Sequence, residues 1–516
     1  MKIALISTDE SRVGMGVKTL SACLIGSGFD TVTALLPTTG NSLKGTHWAD
    51  LNKICSGAGL ICISCMTHGV SRAVEVKNKL QETTRSPIIV GGIHASLDPE
   101  SLRGNFELIC SGEGEDAIVE LASRIKNKEA FYDIPGLIGN WNGKVFNNPA
   151  QPLSKDLNNY PFPDYDLSRQ YILESGRIIP MSCSHIDLNH FVILGSRGCP
   201  HSCSYCSNYK LKQDFPWRRL VRHYSVDYLI NHLKKASESY PQIRSFWLED
   251  DTFFAKELDE IKEFSARYKE EVNKPFLILI SPWTYCREKV ELLIEAGMSG
   301  LIMGIQSGSE NTNRNIYERR ISNSKVLEIT ASLNKFSGVS KYYDFIGMNP
   351  FEGRQDLVDT IRFIKRLPQP FFIFNNNLAF YPGTRLHEKA LKLNLDISKR
   401  DKHADANIGY LALRREKIGH KFFHFLLLMM AGSVNKWRVG FIPRFMVSGP
   451  AMRMYVVLDR RAGFLMNWAV SNLSLVFMYL DWKFILKRIF SRKQLNKLKI
   501  VYEYFKPGQS NPKQIL

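Results

Sequence analysis

No internal repeat and no low-complexity tract occurs in the 516 residues, which excludes solenoids and arrays. The 10 cysteines are too sparse over 59.0 kDa for a disulfide scaffold. No secretory leader is expected. Met1-Lys2-Ile3-Ala4-Leu5-Ile6-Ser7 is a short apolar run that meets Thr8-Asp9-Glu10. The expected compartment is the reducing cytoplasm, where clustered cysteines read as metal ligands. No clean apolar run of about 20 residues is present. The nearest stretch, Ala462–Leu480, lacks charge but holds Asn467, Ser471, Asn472 and Ser474. Acidic residues are scarce at one end: from Arg414 onward, 19 Lys+Arg meet 4 Asp+Glu. That tail carries +15 of the net +18, so the first 413 residues carry only +3. A nucleic-acid surface on the body is therefore not expected. The tail is both basic and apolar, with Phe422–Met430, Trp468 and Trp482. Such a tail suits peripheral contact with the inner face of an anionic membrane. A buried helical cap and a true span are the other readings.

What is present is an ordinary globular balance, 44% apolar and 23% charged, with length for three or four units. Residues 1–150 alternate apolar runs with amphipathic stretches. Strands are expected at Lys2–Ser7, Gly59–Ser64, Pro87–Val90 and Phe106–Cys110. Helices are expected at Val17–Gly28, Val70–Gln81 and Asp116–Ile125. This order predicts a doubly wound parallel sheet whose ligand lies beyond the carboxyl ends of the strands. Residues 151–187, punctuated by Tyr160-Pro161-Phe162-Pro163, read as a linker. Strand–helix alternation resumes over 188–400. Strands are expected at Phe191–Leu194, Ser245–Leu248, Phe276–Ile280, Gly300–Ile305, Tyr342–Ile346 and Asn377–Tyr381. Six such units predict a partial or full parallel barrel, followed by a helical region over 401–516.

The densest chemical signal is Gly195-Ser196-Arg197-Gly198-Cys199-Pro200-His201-Ser202-Cys203-Ser204-Tyr205-Cys206. Three thiolates spaced Cys-x3-Cys-x2-Cys on one loop can hold three corners of an iron–sulfur cubane. The fourth iron is then open to a substrate. The competing reading is a zinc knuckle with His201 as fourth ligand, an awkward closure because His201 lies between two of the cysteines.

Cys199, Cys203 and Cys206, with Tyr205 before the last, resemble the radical S-adenosylmethionine (SAM) signature. Phe246-Trp247-Leu248-Glu249-Asp250-Asp251 resembles the second-strand segment, and implies SAM contacts from Glu249 and Asp250. Met303-Gly304-Ile305-Gln306-Ser307-Gly308 resembles the fourth-strand segment, with Gln306 in place of the usual Glu, and implies contacts from Gln306 and Ser307. Phe345–Glu352 and Tyr381-Pro382-Gly383-Thr384 resemble the segments that close such a core. Arg320 is the candidate for the SAM carboxylate. Over 188–400 the resemblance implies a (β/α)6 barrel, a [4Fe-4S] cluster and reductive cleavage of SAM to a 5′-deoxyadenosyl radical. It also implies an electron donor such as flavodoxin or ferredoxin.

Residues 1–150 resemble the cobalamin-binding domain found before such barrels. The resemblance rests on Gly91-Gly92-Ile93-His94, on Gly112-Glu113-Gly114-Glu115, and on Ser64 and His68 at a neighbouring strand end. These residues are the implied cobalamin contacts. The D-x-H-x-x-G motif is replaced by Asp9-x-Ser11-x-x-Gly14, so Ser11 stands where such domains carry a cobalt-ligating His. Cys62 and Cys65 read as small buried hydrophobes. Together the readings imply cobalamin-dependent methylation of an unactivated carbon on a lipophilic or natural-product substrate. A cobalamin-dependent rearrangement, cyclisation or oxidation is the alternative within the class. A catalytically idle membrane-surface binding protein is the alternative outside it.

Overall fold

The computed structural model describes residues 1–395, apart from Glu10, Ser11, 38–42, Lys44, Ser175, Met348 and 369–370. The expected helical region over 401–516 and Ser11 lie outside the described residues.

The first sheet is built on β1 (Lys2–Ser7), β2 (Asp30–Leu35), β3 (Ala58–Ser64), β4 (Ile88–Gly91) and β5 (Leu108–Cys110). These five strands are parallel. Their order, 2-1-3-4-5, is that of a doubly wound sheet with its topological switch between β1 and β3. Residues of β1 alternate between two cores: Ile3 and Leu5 pack on one face, Ala4 and Ile6 on the other. A strand covered on both faces has no polar side, which is why its sequence is a continuous apolar run. Helices α1 (Met15–Gly26), α2 (Gly45–Cys55), α3 (Val70–Gln81), the short α4 (Ile93–Leu97) and α5 (Glu115–Asn127) complete this unit. Cys62 and Cys65 fall in opposite cores. They are packing residues, not a redox pair.

Four further strands extend the sheet to nine. β6 (Leu137–Trp141) and β7 (Lys144–Asn147) form a hairpin antiparallel to β5. Its two-residue turn, Asn142-Gly143, has positive φ at both positions, the pair such a turn demands. β8 (Gln170–Glu174) runs parallel to β2, and β9 (Arg177–Pro180) returns antiparallel to β8. The segment 151–187, expected to be a linker, therefore supplies two strands to the opposite edge of the first sheet. Its proline-rich half conceals them, because each strand is only four or five residues long.

The second sheet contains β10 (Phe191–Ile193), β13 (Phe246–Leu248), β14 (Phe276–Ile280), β15 (Met298–Gln306), β16 (Ser340–Gly347) and β17 (Phe372–Asn377). All six pair in parallel in that order, an open (β/α)6 arrangement. A small antiparallel ribbon, β11 (Ser196–Arg197) with β12 (Arg222–His223), brackets the cysteine loop. Helices α6 (Ser207–Asp214), α7 (Val226–Ser239), α8 (Leu258–Glu271), α9 (Arg287–Glu295), α10 (Asn323–Asn334) and α11 (Arg354–Ile364) alternate with the strands, and α12 (Arg385–Lys392) follows β17. The last strand lies upstream of the expected Asn377–Tyr381. Phe372 and Phe374 stack on Tyr342 of β16 at 5.0 and 5.2 Å, and that pairing sets the register. Leu378 and Phe380 instead pack with Ile316 and Tyr317. Gly383 and Thr384 turn the chain into α12, which Thr384 caps.

No helix among the described residues is long and apolar enough to cross a membrane. Phe276 is fully buried against Phe264 and Tyr268 at the centre of the barrel core. Phe276→Ala should destabilise the barrel by about 3–5 kcal/mol, read as an earlier denaturant transition; an unchanged midpoint would contradict this packing.

Candidate active site at the junction of the two sheets

The cysteine loop leaves β10 and is pinned before it reaches the first cysteine. Gly195 N donates to Asp250 Oδ1 at 2.5 Å, and Lys256 Nζ donates to Gly195 O at 3.1 Å. Beyond it, Ser204 N donates to Tyr317 O at 3.1 Å, and Leu386 N donates to Ser204 O at 3.0 Å. Cys206 N donates to Cys203 O at 3.1 Å, a tight turn that leads into α6. Side chains also reach the sulfurs. Arg319 Nη1 lies 3.5 Å from Cys203 Sγ, and Asn208 Nδ2 lies 3.8 Å from Cys206 Sγ. Burial pushes the Cys206 thiol up to about 11 and the Cys199 thiol up to about 12. Iron held by these cysteines would supply the positive charge that makes thiolates stable in such a place. Cys199, Cys203 and Cys206 bring three soft thiol donors onto one loop, the set an iron–sulfur cluster takes with one thiolate to each iron. His201 packs its ring on Trp283 at 4.7 Å. The loop therefore fits a cluster held by three cysteines.

Strand parity decides which acids face the barrel mouth. Trp247 of β13 sits between the two buried residues Phe246 and Leu248, so Glu249, two residues on, shares its face. Glu249 is exposed at the strand end. Partial enclosure, with Asp251 beside it, lifts its carboxyl to about 7. Asp250 has the opposite parity and is 1% exposed. It accepts from Gly195 N and faces Lys256, so it anchors the loop, while Glu249, the other acid expected at SAM, lies on the opposite face. Tyr205 lies edge-on to Tyr317 at 5.0 Å, and its hydroxyl accepts from Arg319 Nη1 at 3.3 Å. Gln306 sits at a bulge with φ of 70° and is buried beside Gly304. The Ser307 hydroxyl donates to Glu352 at 3.1 Å and lies 3.0 Å from the Thr360 hydroxyl.

Arg320 is exposed, while its neighbour Arg319 is buried. Arg319 donates to Gly304 O at 2.7 Å and lies over the Trp283 ring at 4.7 Å. Of the two arginines, Arg319 is the one beside Cys203 and Tyr205, and Arg320, the residue expected at the SAM carboxylate, is exposed. Arg319 follows the π-helical turn Thr312–Ile316 and Glu318, whose φ is 55°. Asp344 was also outside the sequence reading. It faces the same region as Gln306 and Arg319 and accepts from Asn376 Nδ2 at 2.6 Å; burial raises its carboxyl to about 7.

On the first sheet, the ends of β3, β4 and β5 surround a cavity of about 210 Å³. Val17, Leu20, Ile63, Ile89 and Ile118 form an apolar floor. Ser64, Gly91, Gly92, Gly112 and Gly114 form the rim. Gly92 has φ of 95°, and a Cβ there would lie 2.7 Å from Cys65 O, so no other residue fits. Neither His94 nor His68 is part of the wall. His94 is buried, with Nδ1 3.2 Å from Thr67 Oγ1 and Nε2 3.0 Å from Ser101 Oγ, so it braces two loops. His68 lies half-buried in the turn Thr67–Gly69. An apolar slot with a polar, glycine-lined rim fits the flat base and linker of a corrinoid's nucleotide tail.

The two sheets meet at this rim. Glu113 accepts from Arg222, from Arg218 Nη2 at 3.3 Å and from Arg197 Nη1 at 3.5 Å. Arg197 Nη2 also donates to Glu115 at 2.6 Å. The Glu113 side chain is 3% exposed, and the arginines hold its carboxyl below the usual range despite burial. Arg197 lies two residues before Cys199. Two carboxylates, Glu113 and Glu115, thus tie the cavity rim to the cysteine loop through Arg197. Glu113→Gln leaves three guanidinium groups around a neutral amide. It should cost about 3–5 kcal/mol, with earlier thermal unfolding and faster proteolysis between the domains; unchanged stability would show the cluster to be incidental.

Comparison with known proteins agrees with this division. Residues 4–122 match the B12 binding domain, and residues 193–364 match the radical SAM superfamily. An uncharacterised methyltransferase of Pyrococcus horikoshii is 30% identical over 313 residues, which is 60% of this chain and 64% of that protein. The match therefore spans just under two thirds of that relative. The bacteriochlorophyllide d C-8(2)-methyltransferase of Chlorobaculum tepidum is 21% identical over 415 residues, 77% of this chain and 82% of that protein. The fold resembles that of the cobalamin-dependent SAM radical enzyme OxsB, with a TM-score of 0.63 and 15% identity over 98% of this chain and 84% of that one. It also resembles the radical SAM methyltransferase TsrM of Kitasatospora setae, with a TM-score of 0.60 and 15% identity over 76% of each chain. The cysteine loop and the glycine-rimmed cavity meet at one place, and the chain carries a radical SAM domain over residues 193–364 behind a B12-binding domain over residues 4–122, so that its cofactors are a [4Fe-4S] cluster, SAM and cobalamin.

Proposed function

We propose that this enzyme methylates an unactivated carbon of a lipophilic or natural-product small molecule, drawing its electrons from a donor such as flavodoxin or ferredoxin. The observation that carries the proposal is the clamp from Glu113 to Arg197, which brings the cobalamin-domain rim against the loop of Cys199, Cys203 and Cys206. When bound, the cluster with SAM supplies a 5′-deoxyadenosyl radical, and cobalamin supplies a methyl group. The protein's own part is to hold these groups in register and to keep water from the barrel. Glu249 would accept the SAM ammonium, Arg319 and Gln306 would contact the rest of the molecule, and Tyr205 would close one side. Two relatives methylate bacteriochlorophyllide d by name, a planar apolar macrocycle, which supports a lipophilic substrate. The basic, apolar tail beyond Arg414 supports work at the inner face of a membrane, where such a substrate partitions.

Ring closure without methyl transfer is the second reading. It is supported by 30% identity over 136 residues to the anaerobic magnesium-protoporphyrin IX monomethyl ester cyclase of Rubrivivax gelatinosus. Label distinguishes the two. Deuterium from the SAM methyl group should enter the product, with 5′-deoxyadenosine and S-adenosylhomocysteine both formed. Unlabelled product with 5′-deoxyadenosine alone would favour ring closure. Cys203→Ala should remove the cluster iron and both nucleoside products.

A second expectation concerns pH. The Glu249 carboxyl sits near 7, above its ordinary value, so it is largely protonated at pH 6 and ionised at pH 8. An ammonium partner needs the ionised form. SAM affinity should therefore rise between pH 6 and 8 and then level off. Glu249→Gln should weaken binding by about tenfold at pH 8 and flatten that rise. A rise that persists in Glu249→Gln would assign the titration to another group.

A further inference from the structure

The rim of the cavity carries a charge imbalance that the domain clamp leaves unexplained. Among the described residues, Arg197, Arg218 and Arg222 form ion pairs with two carboxylates there, Glu113 and Glu115. Arg197 is shared by both acids, and Arg222 makes the closest contact with Glu113. Arg218 is left with the weakest share: one contact of 3.3 Å to a carboxylate already serving two other arginines, and a more distant attraction to Asp251. Burial and the two like charges beside it press its pKa below the ordinary value. A largely enclosed guanidinium in that position is stabilised by one more anion. Arg218 and Arg197 line the cavity, whereas Arg222 does not. Val17, Leu20, Ile89 and Ile118 line the same cavity, an apolar surface of the kind a fused aromatic base packs on.

We propose that Arg218, with Arg197 beside it, binds the phosphodiester of the cobalamin nucleotide tail, so that the barrel completes a cofactor pocket whose floor belongs to the first domain. The inference rests on the cobalamin reading above. It explains why the pocket opens at the domain boundary: the tail would be held from both sides, and its binding would tighten the contact between the cofactor rim and the cysteine loop. A charge-assisted pair of this kind is recognised by geometry as well as charge, because the planar fork of arginine matches two phosphate oxygens.

Equilibrium titration followed by the visible spectrum tests this on the full chain with its cluster reconstituted. The probes are hydroxocobalamin and cobinamide, which lacks the nucleotide and its phosphodiester. Arg218→Gln should weaken cobalamin binding by about tenfold and change cobinamide binding by less than about twofold. Arg222→Gln, which disturbs the clamp outside the cavity wall, should leave the ratio of the two affinities unchanged. An equal loss for both corrinoids in Arg218→Gln, or no loss for either, would overturn the phosphodiester contact while leaving the cobalamin reading intact. If the unaltered protein bound neither corrinoid, both would fall.

Discussion

The structure turns on one buried carboxylate. Glu113 is almost wholly removed from water, and an isolated charge in that place would be strongly disfavoured. Three arginines from the barrel side make the burial possible. Their positions explain the rest of the arrangement. Arg197 belongs to the ribbon that brackets the cysteine loop, Arg222 to the opposite strand of that ribbon, and Arg218 to the turn before it. Glu113, with Glu115 beside it on Arg197, therefore ties the barrel mouth to the cavity rim. A buried ion cluster contributes little net stability compared with a well-packed apolar contact. Its effect here is specificity of placement, since three directional partners define a single docking of the two sheets.

Inside the barrel the governing constraint is the two-residue period of the strands. It directs Glu249 into the mouth and Asp250 into the wall, where the latter grips Gly195 and sets the start of the cysteine loop. The same rule places Asp344 and Tyr342 on one face of β16. Gln306 escapes the rule, because the bulge beside it and a left-handed backbone turn the side chain back over Gly304. The π-helical turn that follows then presents Arg319 to Cys203, Tyr205 and Trp283 at once.

Much of the fold was legible. α3 falls on the residues its spacing indicated, and β1 likewise, because an amphipathic or fully apolar period is a local property of the chain. The hairpin turn Asn142-Gly143 was a readable signal that went unused. β8 and β9 were hidden, since their identity as strands depends on an edge of β2 that lies more than 130 residues away. Arg319 was missed in favour of Arg320 because adjacent residues on an irregular turn are distinguished only by how that turn is wound. His94 looked like a ligand beside two glycines, and its engagement by Thr67 and Ser101 emerges only when three loops converge.

The sequence by itself determined the chemistry available to this protein. The cysteine spacing, the glycine loops and the alternation of strands and helices are written in short stretches, and short stretches depend on covalent geometry and local burial alone. The tertiary structure decided which acid faces the mouth, which arginine reaches the sulfur, and that Glu113 joins the two domains. Those outcomes rest on contacts between residues roughly 55 to 120 positions apart. Their partners are chosen by the packing of whole sheets, where desolvation makes each buried charge take the partner the fold brings to it.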